Sequence, residues 1–275
     1  MTMTDARDSG WQKAGELTCG RPGHGKGHLC LSGPRDAAEL DAEAGELSDW
    51  FGEAFVGVRG LPGTLGGEPV AWGRVWASGA RWLAVGRVGG GSVLVALERT
   101  TPDPDALPES ATWLERLVAV TGWEAVGRPP TEVDWADVER RLGTRLPGDY
   151  KRLYETFGEG DFDGFLGVYG PEYLISTAVT ARYYDEERTR FPAPGGRLTW
   201  GGNEHEQDFH WIPDADTDPD RWPVHVADEG ATDDEVERFD CTLTEAVYRY
   251  LTDLRFPGSM AEHFDVHWFQ ATRAE

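Results

Sequence analysis

The sequence predicts an α+β protein of two domains. Three observations carry that reading: a cluster of three short apolar runs separated by glycine turns, a break at Pro129-Pro130, and beyond it the order helix, helix, strands, helix. A length of 275 residues exceeds the usual single-domain size. With 39% hydrophobic and 11% aromatic residues, among them 12 Trp, both parts have material for a packed core.

Residues 1–45 are rich in Gly, Ala and small polar side chains without a sustained period, and read as a flexible extension that contributes little core. Over 46–123 the pattern changes. "PVAWGRVW", "RWLAVGRV" and "SVLVALER" are bounded by turns such as "ASGA" and "GGG", close enough in sequence for a three-stranded antiparallel meander. A helix follows in "PESATWLERLVAVTGW", with Ser110 as its cap and Trp113, Leu114, Leu117 and Val118 on one face. This is a smaller α+β domain of unassigned role. Residues 124–131 read as a linker, because the proline pair cannot continue a helix.

From 132 to 275 the chain builds a second domain. "VDWADVERRLGTRL" sets Val133, Val138 and Leu142 on one stripe, with Asp134 as N-cap and Gly143 as the left-handed stop. Pro147 suits the first turn of the next helix, whose buried side is Tyr150, Leu153, Tyr154 and Phe157. Strands are expected in "DGFLGVYG", "GRLTWGG", "QDFHWIP" and "WPVHVAD", and a last amphipathic helix in "TLTEAVYRYLTDLRF".

The formal charge of −23 is concentrated: residues 131–275 hold 32 acidic and 14 basic side chains. Such a chain repels nucleic-acid phosphates and anionic membranes and attracts cationic surfaces, so a basic protein partner is expected, with no nucleic acid and no membrane. No run of about 18 apolar residues occurs and the opening lacks the apolar stretch of a secretory signal, which leads to the expectation of a cytoplasmic protein. Three cysteines, Cys19, Cys30 and Cys241, are too few and too unevenly placed for a disulfide framework.

"VDWADVERRLGTRLPGDYKRLYETFGEGDFDGFLGVYGP" resembles the opening of the SUKH superfamily, Smi/Knr type, first named for a yeast cell-wall assembly regulator. The matching positions are Trp135, Glu139, Leu142, Gly143, Leu146, Pro147, Asp149, Tyr150, Lys151 and Gly158. "LTWGGNEHEQDFHWI", "DPDRWPVHVADE" and "LTEAVYRYLTDLRF" are similar to its later strands and closing helix, so the resemblance covers about residues 132–256. It implies a mostly antiparallel sheet with packed helices. It also implies a non-catalytic binding protein: many bacterial members are immunity proteins that occlude toxins, often nucleases, while eukaryotic relatives act as regulatory scaffolds with several partners. The immunity reading is favoured, the scaffold is its alternative, and no cofactor is expected.

Fourteen carboxylates lie between 203 and 240 against only Arg221 and Arg238. Asp214, Asp216, Asp218, Asp220, Asp228, Glu229, Asp233, Asp234, Glu235 and Glu237 are the expected partner surface, with Trp211 and Trp222 as aromatic anchors. The bland alternative is a set of solvated loops. "DADTDPD" alternates acids as a calcium loop does, but the glycine and distal Glu are missing.

Three histidine-bearing segments compete with that surface. "GGNEHEQDFHW" gathers Glu204, His205, Glu206, Asp208 and His210, the set a metal-dependent hydrolase would need, with His225 as a further ligand. The simpler reading is a hairpin with a polar tip. His263 and His267 stand four apart in an aromatic segment that reads as docking onto the domain. Cys241 has no base beside it and reads as a buried structural thiol. In "CGRPGHGKGHLC", Cys19, His24, His28 and Cys30 are four zinc-capable ligands, the number a closed tetrahedral site takes. Their spacing fits no paired-cysteine knuckle and the glycines make ordering costly, so no metal is expected and the segment reads as a glycine-rich tail. It also nearly spells a phosphate loop, but Gly27 stands where Ser or Thr belongs and no strand precedes it.

Overall fold

A computed structural model describes residues 15–33, 35–183, 190–228 and 231–272. Two compact units emerge: Met1–Glu109 with Val118–Arg128 and Glu262–Glu275, and Ser110–Leu117 with Pro129–Ala261. No helix among the described residues is long and apolar enough to cross a membrane.

The first unit is an antiparallel sheet in the order β1-β5-β4-β3-β2, from β1 (His28–Cys30), β2 (Thr64–Leu65), β3 (Glu68–Ser78), β4 (Arg81–Val88) and β5 (Gly91–Glu98). The expected meander is β3-β4-β5. Its strands are joined by two-residue turns in which Gly79 and Gly89 take positive φ. Between Trp72 and Val75 the β3–β4 register shifts, and Gly86 faces Trp72 so closely that a Cβ there would lie 2.7 Å from the indole.

Helix α1 (Ala37–Phe51) starts where the Asp36 carboxylate accepts the Ala38 amide at 3.1 Å. Leu40, Ala44 and Leu47, at helical spacing, pack on Trp76, Leu83, Leu94 and Ala96. The extension expected over 1–45 therefore changes character in its described part. Leu17 and Thr18 pair with Gly27 and Lys26, Gly27 and β1 pair with β5, Cys19 is buried, and the first turns of α1 supply core. Periodicity missed residues 17–30 because they are ordered by pairing between segments, and the stripe of α1 is narrow, with Leu40, Ala44 and Leu47 set among acidic residues.

Residues 262–272 also depart from the expected 132–275 domain and pack within the first unit. Trp123 sits edge-on to both Phe55 and Phe269, at 5.5 and 5.2 Å, and Glu53 donates its amide to Ala271 at 2.9 Å. The buried Arg99 guanidinium donates to the carbonyls of Gly79, Thr121 and His267. Helix α2 (Trp113–Val120) begins two residues later than expected. Thr112, not Ser110, caps it, through a reciprocal box with Glu115.

The second unit contains α3 (Trp135–Leu142), α4 (Gly148–Phe157), β6 (Gly160–Phe162), β7 (Leu166–Val168), α5 (Pro171–Tyr183), β8 (Leu198–Asn203), β9 (Gln207–Trp211), β10 (Val224–Asp228), β11 (Glu237–Phe239) and α6 (Leu243–Thr252). Its strands run β11-β10-β9-β8-β7-β6 with every neighbouring pair antiparallel. As expected, Asp134 accepts the Asp137 amide at 3.1 Å to start α3. Gly143, at φ 86°, ends it by donating to Glu139 at 2.8 Å. Helix α5 and the short strands β6 and β11 were not read from the sequence. In α5 the buried Leu174, Ile175 and Ala178 are interleaved with Thr and Val, which blurs the helical stripe.

The core of this unit is aromatic. Tyr150 meets Trp211 edge-on at 5.6 Å, Trp200 lies 5.5 Å from Phe209, and Phe209 contacts Tyr250 at 5.8 Å.

Candidate functional site

The α3–α4 hairpin holds the residues that carried the family resemblance, and each of them has a structural task. Glu139 ion-pairs with Lys151 and accepts the Leu146 amide at 2.9 Å. Burial works to raise its carboxyl, but the ammonium and the amide outweigh that and hold it below the usual range. Trp135 donates to Glu155 at 2.7 Å, and Tyr150 donates its hydroxyl to the Tyr169 carbonyl at 2.9 Å. Asp149 accepts the Thr244 amide at 3.0 Å, tying the start of α4 to the start of α6. These side chains build a scaffold.

The acidic positions fall on the β9–β10 connection, the end of β10, the β10–β11 connection and β11. Asp214, Asp216, Asp218, Asp220, Asp228, Asp234, Glu235 and Glu237 are all exposed. Glu229 lies outside the described residues, as does the side chain of Asp233. Several of these acids order their own loops. Asp214 accepts the Asp216 amide and the Thr217 hydroxyl, which draw its carboxyl below the usual range. Asp218 accepts the Asp220 amide at 3.2 Å, and Asp220 accepts the Gly148 amide at the start of α4. Thr232 and Glu235 form a capping box. Asp228, Glu235 and Glu237 line a groove of about 420 Å³ together with Val226, Ala227 and Pro257.

Trp211 and Trp222, expected as aromatic anchors, are not exposed on that surface. They are 1% and 4% exposed and lie 6.3 Å apart in the core. Alternation on β9 turns Phe209 and Trp211 to the same inner face, so Trp211 is buried although acids follow it closely in sequence.

The histidine cluster of "GGNEHEQDFHW" does not converge. His205 is exposed at the β8–β9 turn, where Asn203 accepts the His205 and Gln207 amides and Glu206 takes a positive φ. His210 is fully buried and stacks on His225, its cross-strand partner, at 5.6 Å. Burial, and then the neighbouring His225, lower His210 to about 3. His263 is exposed while His267 is buried in a non-helical segment, so that pair does not form a site either. Cys241 is buried, and desolvation pushes its thiol up to about 12, in keeping with an inert structural role.

One constellation is tighter in space than its spacing suggested. The ligand atoms of Cys19, His24, His28 and Cys30 lie within 4.8 Å of one another, the one group of three or more His, Cys, Asp or Glu so arranged among the described residues.

The second unit is thus an α+β domain of one antiparallel sheet with helices, presenting carboxylates on its loops. Residues 129–246 match the model of the SMI1 / KNR4 family (SUKH-1), so a SUKH-type domain covers this part of the chain. No curated protein and no solved structure was found to match the chain.

Proposed function

We propose that the chain is a non-catalytic binding protein whose SUKH-type domain engages a basic protein partner. In the reading favoured here that partner is a toxin domain, neutralised by one-to-one occlusion. The observation that carries this is the density of exposed carboxylates on the β9–β10 and β10–β11 connections of a domain of this family. Carboxylates there would stand in for the phosphates of a nuclease substrate, and the net charge would steer encounter with a cationic surface.

The test is capture of the tagged chain's partners from lysate of the source organism at low and high salt. A single basic protein, bound one to one, released by salt, and lethal on expression unless this chain is co-expressed, is the expected result. Several unrelated partners with no rescue would favour the regulatory scaffold instead.

A further inference from the structure

We propose that Cys19, His24, His28 and Cys30 bind one zinc ion in a closed tetrahedral site that fixes the first described segment of the chain to the sheet of the first unit. His28 and Cys30 are two apart on β1 and so share a face, and β1 is held in register on β5 through His28↔Leu97 and Cys30↔Val95. The preceding segment folds back over them. Thr18 bridges to Lys26, Gly27 donates to the Leu17 carbonyl at 2.8 Å, and a turn closed by His24 on Arg21 takes Gly23 at φ 79°. This brings Cys19 and His24 over the same spot.

Two of the six edges are close to those of a metal tetrahedron. Zinc bonds of about 2.0–2.1 Å to nitrogen and about 2.3 Å to sulfur imply N–N edges of about 3.3 Å and N–S edges of about 3.6 Å. His24 Nδ1 lies 3.0 Å from His28 Nε2 and 3.4 Å from Cys30 Sγ. The other ring nitrogen of His24 lies against Gly66, where a Cβ would come within 2.5 Å of it, so only glycine leaves room for the imidazole in this pose. Cys19 and His28 are buried.

Two thiolates and two imidazoles around one point suit zinc better than calcium or magnesium, which take oxygen ligands. The separations suit a single ion. Binding requires both thiols to release their protons to solvent, and two thiolates then neutralise the dication. The glycines at 20, 23, 25 and 27 that make the free segment costly to order permit its tight return once the ion holds both ends.

The full-length chain, purified without a histidine tag, is expected to carry one zinc by elemental analysis. After chelation in denaturant it should show three reactive thiols. Cobalt substitution should give tetrahedral d–d absorption with thiolate charge-transfer bands for two sulfurs. C19S/C30S should lose the metal, whereas H24C should keep it and show the charge-transfer intensity of three sulfurs. Zinc at blank level after folding in its presence, a Cys19–Cys30 disulfide in protein kept under reductant, or full metal content in C19S/C30S would each overturn the site. Because stoichiometry and thiol count are read on the unmodified chain, a variant that fails to fold does not shelter the proposal.

Discussion

His210 on β9 and His225 on β10 stack across the strands with ring centroids 5.6 Å apart and planes 15° from parallel. Burial depresses both, most strongly His210, to about 3. A base whose folded pKa lies below its unfolded value near 6.5 leaves the unfolded chain holding the extra proton between those pH values. Stability from this pair is therefore complete above about pH 6.5 and is lost as pH falls toward 3. His210→Phe is expected to flatten the fall in urea midpoint between neutral pH and about pH 4. An unchanged pH slope in the variant would contradict the assignment.

The Glu139–Lys151 pair should behave as a partly buried ion pair, since each side chain is 20% exposed. Glu139→Ala leaves the ammonium and the Leu146 amide short of a partner and is expected to cost about 2–4 kcal/mol in denaturant unfolding. Adding Lys151→Met should recover part of that loss. Strict additivity of the two changes would show that the pair is not coupled.

Gly143→Ala places a Cβ in the left-handed region at φ 86° and is expected to destabilise the chain by about 1 kcal/mol. The helix content read by circular dichroism should stay the same, because the cost falls on the cap alone.

Trp211→Ala should destabilise by about 3–5 kcal/mol, since the indole is core-packed against Tyr150 and Trp200. Under conditions where the variant remains folded, affinity for a captured partner should be unchanged. A selective loss of binding would return Trp211 to the partner surface.

Charge reversal at Asp216, Asp228 and Glu237 is expected to weaken partner binding by about tenfold or more at low salt, mainly through the association rate. These three carboxylates are exposed and are not the ones that close loop turns or start α4; Asp228 accepts only an exposed side-chain bond from Gln207 at 3.2 Å, whose loss costs little. Stability should therefore hold while binding and its salt dependence fall.

Local chemistry made much of this protein legible in advance. Asp134, Gly143 and Pro147 mark helix boundaries because their backbone preferences act within one turn, and alternation with glycine punctuation marks β3, β4 and β5. Composition concentrated the negative charge in the second domain before any strand was placed. What only the tertiary structure decided depends on distance through space. The return of the chain brings Cys19 and His24 onto His28 and Cys30, the pleat turns Trp211 inward although acids follow it in sequence, and long-range packing assigns residues 262–272 to the first unit. Spacing along a chain constrains side chains only over a turn or a strand pair. Burial and convergence are set by contacts between segments whose separation in sequence carries no such period.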